Sequence, residues 1–182
     1  MRLAIAVFCC AALLAGCGSQ PKSAAPSKTA AAKALRSSPP PLAALHDQAS
    51  RLLGGGTAAF KRRIASLRGY PVVVNKWAAW CGPCRVEFPV FQRASVALGT
   101  KVAFLGVDSN DVDGDARAFL KKYPVSYPSY SDPHLKIALV MDAVGAFPTT
   151  VIYNSSGRIA NTHLGPYASQ AALASDIRRY AR

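Results

Sequence analysis

The sequence predicts an α/β fold with a central mixed β-sheet and helices on both faces, and three features carry that prediction. Two nearly continuous apolar runs, 71–80 (PVVVNKWAAW) and 101–108 (KVAFLGVD), have the β-branched composition of strands buried on both faces. Each run leads into a helical pattern, 82–98 and 113–123, in the order that joins parallel strands by crossover helices. The last third then reads strand, turn, strand, helix, which adds a hairpin and makes the sheet mixed.

Taken in chain order, Leu45, Ala49 and Leu52 recur at helical spacing, and Gly54, Gly55 and Gly56 stop that helix. Thr57 can cap a second helix with Phe60, Ile64 and Leu67 on one face and Gly69 past its end. The strand at 71–80 follows. The helix at 82–98 carries Pro89, which predicts a kink. After the strand at 101–108, the helix at 113–123 turns Ala116, Phe119 and Leu120 inward. Residues 127–132 read as loop and short strand, and 134–143 as helix. Strands at 148–154 and 158–165 flank a turn at Ser155, Ser156 and Gly157. Ser169 caps a last helix with Leu173, Ile177 and Tyr180 in register.

The N-terminal stretch has a different character. Residues 1–17 have one early charge, Arg2, then an apolar run to Ala15, then small residues. That pattern reads as a secretory signal rather than a spanning helix. Its end, Leu14-Ala15-Gly16-Cys17, resembles the bacterial lipobox, which implies a diacylated Cys17 and attachment to a membrane. Each buried acyl methylene contributes about 0.8 kcal/mol to such an anchor. Residues 18–41 are rich in Pro, Ala, Ser and Lys and lack aromatics, so they read as a disordered tether. The folded domain is expected over 42–182.

The chain has five cysteines. Cys9 and Cys10 lie in the signal and Cys17 at its end, so Cys81 and Cys84 are the only thiols left in the domain. This excludes a disulfide framework and a cysteine-rich metal site. One CxxC supplies two of the four ligands that zinc needs, and His46, His134 and His163 are not paired at ligand spacing. A structural disulfide across two residues would close a tiny loop and stabilise little. The net charge of +13 invites a nucleic-acid reading. However, Lys22, Lys28, Lys33 and Arg36 fall in the tether, and no basic cluster is interleaved with aromatics. Anionic headgroups suit that charge better, and no nucleic-acid partner is expected.

A redox role for Cys81 and Cys84 has positive support. A buried strand runs into Cys81 and a helix starts beside it, so the helix N-terminus favours thiolate over thiol. Pro83 fits the first helical turn, where its missing N–H costs nothing. Gly82 lets a partner chain approach the sulfur. Cys81 is expected to be the exposed nucleophile, with Cys84 shielded and resolving the mixed disulfide. Trp77 reads as a core aromatic. Trp80, beside the nucleophile, reads as a shield and part of a docking surface. The stretch 109–114 (SNDVDG) resembles a calcium loop, but Ser109 and Leu120 stand where its first and closing ligands belong, so it reads as a loop leading to a helix.

Trp80-Cys81-Gly82-Pro83-Cys84 is the motif of the thioredoxin superfamily. The stretch NKWAAWCGPCRVEFP, with DAVGAFPTTVIYNSSGRI further on, resembles the TlpA/ResA branch: membrane-tethered, extracytoplasmic thiol–disulfide oxidoreductases. The resemblance covers about residues 67–180. It implies a thioredoxin-like fold, no cofactor beyond the Cys81–Cys84 disulfide, and a cis peptide at Pro148 whose loop offers the backbone of Phe147 to an extended substrate. It also implies a proton-handling role for Glu87, the only glutamate in the chain and three residues beyond Cys84. Thioredoxin has a buried Asp six residues before its first motif cysteine; here that position is Asn75, which cannot take a proton. Lys76 departs from the family, standing where an aromatic is usual, and either reaches the edge of the sheet or faces Glu87.

The Gly-Pro dipeptide points toward the reducing end of a range from about −270 to −120 mV. The resemblance therefore implies a monomeric reductase of protein disulfides, fed by a membrane thiol donor, with apocytochrome c among its possible substrates. Two other readings stay open: a disulfide-forming or isomerising enzyme on the same fold, and a copper chaperone using the cysteine pair. A thiol peroxidase is disfavoured, because no Thr precedes a Cys at peroxidatic spacing.

Overall fold

The computed structural model describes residues 25–181. The stretch expected to be a signal, Cys17 and the first part of the expected tether lie outside the described residues. Six strands form one mixed sheet in the order β1-β4-β3-β2-β5-β6. They are β1 (Leu52–Leu53), β2 (Val72–Trp77), β3 (Ala103–Ser109), β4 (Ser129–Asp132), β5 (Thr149–Tyr153) and β6 (Ile159–Leu164). The first four are mutually parallel; β5 runs antiparallel to β2, and β6 antiparallel to β5. This is the predicted mixed sheet, and its thioredoxin-like layering is complete: α4 (Gly82–Leu98) and α7 (Gln170–Tyr180) pack together on one face, α3 (Gly56–Ser66) and α6 (Lys136–Val140) on the other.

Strand β2 is central and every residue of it is buried. Its alternation divides the two cores. Val73 and Trp77 join Phe88 and Phe91 of α4 on one face. Val72 and Val74 join Phe60 and Ile64 of α3 on the other. Asn75 and Lys76 therefore enter opposite cores. Trp77 is held by a ring stack with Phe119 (centroids 4.8 Å apart) of α5 (Asp113–Lys122) and by its Nε1–H, which donates to Ser129 Oγ at 3.1 Å.

Four expectations are corrected. The stretch read as a disordered tether contains α1 (Lys28–Leu35), whose Ala31 and Leu35 are buried. Ser27 caps it by accepting from Ala30 N, and α1 packs on α4. Its alanine-rich sequence has strong intrinsic helix propensity, and two apolar side chains suffice to dock it. The helix expected over Leu45, Ala49 and Leu52 is instead α2 (Pro40–His46), and Leu52 belongs to β1, paired in parallel with β4. Ser50, at φ 56°, breaks the helix between them, and its N–H donates to Tyr127 O. Helix α3 begins after Gly55 (φ 94°), so Thr57 lies inside it rather than capping it. The helix expected over 134–143 shortens to α6, because Leu135 takes a left-handed φ of 57° and Asp132 accepts from Ile137 N and Ala138 N.

Gly106 of β3 pairs with Asn75 and makes room for Trp77: a Cβ there would lie 2.1 Å from Ser129 Oγ and 2.9 Å from Trp77 Nε1. Gly106→Ala should destabilise the fold by about 2 kcal/mol through overpacking, read as a lower urea midpoint with unchanged m.

Candidate active site

The end of β2 delivers the chain to the start of α4, and Cys81 is the N-cap residue of that helix. Its Sγ accepts from Cys84 N at 3.1 Å, so the sulfur occupies the place of a capping oxygen over the first turn. Cys81 and Cys84 are joined as a disulfide. Pro83 stands at the start of the helix as predicted. Gly82 and Pro83 are exposed, and a Cβ on Gly82 would meet nothing within 4 Å, so the approach to the sulfurs is open on that side.

The order of exposure is the predicted one, but its degree is not. Cys81 is only 3% exposed and Cys84 fully buried. The reason is local: as N-cap, Cys81 turns its side chain back over the helix rather than outward. Trp80 is 54% exposed, and its indole N–H donates to Asn110 O at 2.9 Å. Asp111 of the same loop accepts from Ala79 N, so the β3–α5 loop pins the backbone just before the motif. Asp108, at the end of β3 opposite Trp77, is buried, and burial with Asp111 nearby pushes its carboxyl up to about 9. It is neutral at pH 7, and the stretch 109–114 serves as a brace and lead-in to α5.

The Phe147–Pro148 peptide is cis, as the sequence resemblance implied. Pro148 is buried, and Phe147 is half-buried and packs on the core cluster that contains both cysteines. The rings of Phe147 and Trp80 lie 4.9 Å apart. The loop before β5 and the cysteine motif thus form one continuous surface.

Glu87 lies on the same helix face as Cys84, one turn on, and is fully buried. Its Oε1 accepts from Asn75 Nδ2, and its Oε2 accepts from Tyr167 N at 3.1 Å. Burial pushes its carboxyl up to about 7; the two hydrogen bonds pull the other way and are outweighed. Asn75 and Thr150 stand opposite each other in the β2–β5 ladder, and Asn75 Oδ1 and Thr150 Oγ1 are buried without a hydrogen-bond partner. A protonated Glu87 satisfies Asn75 Oδ1 once the amide rotates, so this pocket is built to hold a carboxyl in either protonation state. Lys76 does not face Glu87 and does not reach the edge of the sheet. It is fully buried in the opposite core, donating to Ala143 O at 2.5 Å and Val144 O at 3.3 Å.

Sequence reasoning missed Tyr167 and Asp111. Tyr167 contributes a backbone N–H from 80 residues away, for which no side-chain signal exists. Asp111 sits in the stretch weighed as a calcium loop, and its carboxylate serves backbone instead of a metal. Among the described residues no group of three His, Cys, Asp or Glu side chains could hold a metal ion.

Comparison with known proteins places this geometry. Residues 51–162 match the AhpC/TSA family. The chain is 37% identical over 95 residues to a thiol:disulfide interchange protein DsbE homolog of Paracoccus denitrificans, covering 52% of this chain and 50% of that one. It is 27% identical over 105 residues to the thiol-disulfide oxidoreductase ResA of Bacillus subtilis, covering 56% and 57%. The chain thus spans about half the length of the curated relatives it matches. Among solved structures, a secreted disulfide oxidoreductase of Mycobacterium tuberculosis homologous to DsbE superposes with a TM-score of 0.56 at 26% identity, covering 63% of this chain and 85% of that one.

The raised carboxyl predicts a pH-dependent stability. Because Glu87 binds its proton more tightly folded (about 7) than unfolded (4.5), the fold is favoured below pH 4.5 and loses stability as pH rises toward 7. The loss attributable to Glu87 should be on the order of 3 kcal/mol. Urea unfolding of Glu87→Gln at pH 5 and pH 8 should differ by less than that of the native chain.

Proposed function

Since this chain belongs to the AhpC/TSA family, and its relatives include proteins of the DsbE and ResA type, we propose that it is an extracytoplasmic thiol–disulfide oxidoreductase that reduces protein disulfides. The observation that carries the proposal is the cysteine pair at the N-terminus of α4, set between a buried proton-binding Glu87 and the cis-Pro148 loop.

The chemistry follows from the positions. In the reduced protein, the Cys81 thiolate attacks one sulfur of a substrate disulfide, and the other substrate sulfur leaves as thiolate. The backbone of Phe147 holds the substrate segment extended alongside. Cys84 then loses its proton to Glu87 and attacks Cys81 Sγ. The second substrate thiolate departs, and the protein is left with the Cys81–Cys84 bond. Two electrons pass to the substrate, and Glu87 returns its proton to the medium or to the departing thiolate. A carboxyl titrating at about 7 is matched to this task, being able to accept and release a proton near neutrality. A membrane thiol donor restores the dithiol. An acylated Cys17 holds the domain at the membrane, and apocytochrome c, whose CxxCH thiols must be reduced for haem attachment, is a fitting substrate. The tether then needs to span only residues 18–27, since α1 is docked on the domain.

Cys84→Ser, expressed in its native membrane, should accumulate a disulfide-linked partner on Cys81, seen as a band on non-reducing gels that dithiothreitol removes. No adduct on Cys81 rejects the mechanism. Glu87→Gln should slow resolution and flatten its pH dependence near 7; an unchanged profile removes Glu87 from the proton step.

A further inference from the structure

Lys76 is a cation near the end of the fully buried strand β2, and the mechanism above does not use it. Its ammonium has a defined set of partners. Two are the carbonyls of Ala143 and Val144, at 2.5 and 3.3 Å, both in the loop that leads to Phe147 and Pro148. The third is the ring of Phe147 itself, with Nζ 3.9 Å from its centroid. The Phe147 ring is in turn 4.9 Å from that of Trp80, the neighbour of Cys81. Lys76 also lies opposite Thr149, the first ladder residue after the cis-proline. Strand, loop and motif are therefore linked through one side chain. Burying a cation is costly unless it is paired, and a strand position next to the redox motif could have been filled by an apolar residue at no such cost.

We propose that Lys76 is a positioning residue that clamps the 143–147 loop and so holds Phe147, Pro148 and Trp80 in place for docking a peptide next to Cys81. The inference rests on the reductase reading of the site and adds to it a residue in the opposite core. The clamp depends on charge: the ammonium strengthens both carbonyl contacts and supplies the attraction to the Phe147 ring. The surroundings set when that charge is lost. Burial lowers the lysine to about 8, and Asp132 on β4 partly offsets this. The other charged groups of the packed elements are occupied or turned outward. Arg63 of α3 donates to Tyr130 and Gln48, while Lys136 of α6 and Asp142 of the loop are exposed. The flanking strands present Val107 and Thr149. As pH rises through 8, docking weakens, whereas the cysteine chemistry does not depend on Lys76.

The test compares two probes against the pre-reduced protein. Insulin offers a disulfide on a peptide backbone; bis(2-hydroxyethyl) disulfide offers one with no backbone to dock. The ratio of the two rates cancels any change in thiol ionisation. Lys76→Met should raise KM for insulin about tenfold, the scale of a desolvated cation–π contact with charged hydrogen bonds, and leave kcat and the small disulfide unchanged. In the native protein the insulin-to-small-disulfide ratio should fall between pH 7.5 and 9. In Lys76→Arg, whose guanidinium stays charged, it should stay level. A Lys76→Met ratio equal to the native one, or a Lys76→Arg ratio that falls with pH as the native one does, overturns the proposal. If Lys76→Met fails to fold, the pH profile of Lys76→Arg decides alone. Native protein that reduces neither probe would instead overturn the reductase reading, and this inference with it.

Discussion

The site depends on one constraint: β2 is buried on both faces and ends where α4 begins. A strand in that position must place successive side chains in two different cores. It must also hand the chain to a helix N-terminus at a fixed point, because its hydrogen bonds to β3 and β5 leave it no freedom to slide. Cys81 inherits its position from that arrangement. Trp77 secures the strand end by stacking on Phe119 and bonding to Ser129, and Gly106 leaves the space for it.

The two polar residues of the strand carry this constraint to both sides of the sheet. Asn75 points toward α4 and gives Glu87 a hydrogen bond inside a pocket that water does not reach. Desolvation outweighs that bond, so a carboxyl that would be ionised in water titrates near neutrality. Lys76 points the other way and ties the cis-proline loop to the same strand. Glu87 and the cis-proline loop are thereby registered to the cysteines from opposite sides of one backbone segment. A single-residue slip of β2 would exchange the two side chains and put each in the wrong core.

Much of this was legible in the sequence. The run 71–80 announces a doubly buried strand by its composition, and the cysteine count isolates Cys81 and Cys84. Pro83 marks the helix start, and the Pro-Thr-Thr stretch marks the loop opposite. The lone Glu87 stands out because no other glutamate exists. The misses have physical causes. Residues 28–35 have the composition of a tether because composition reports the average character of a stretch, whereas two apolar side chains on one helix face are enough to dock it. Leu52 fitted a helical spacing, but Ser50 bonds to Tyr127 and turns the chain into an edge strand. A nucleophile must be reached, which makes an exposed Cys81 the expectation from sequence, yet an N-cap side chain folds back onto its helix.

What the sequence by itself determined is local: which two cysteines fall in the folded domain, where the helix beside them starts, and which strand lies at the centre. These follow from neighbours within a few positions, whose spacing the covalent chain dictates. What only the tertiary structure decided is the partnering across the sheet. Tyr167 reaches Glu87 from 80 residues away, and Ala143 reaches Lys76 from 67. Such contacts depend on strand order and register, which arise from the packing of the whole sheet. Glu87 and Lys76 could be named as unusual from the sequence, but their tasks belong to residues that only folding brings to them.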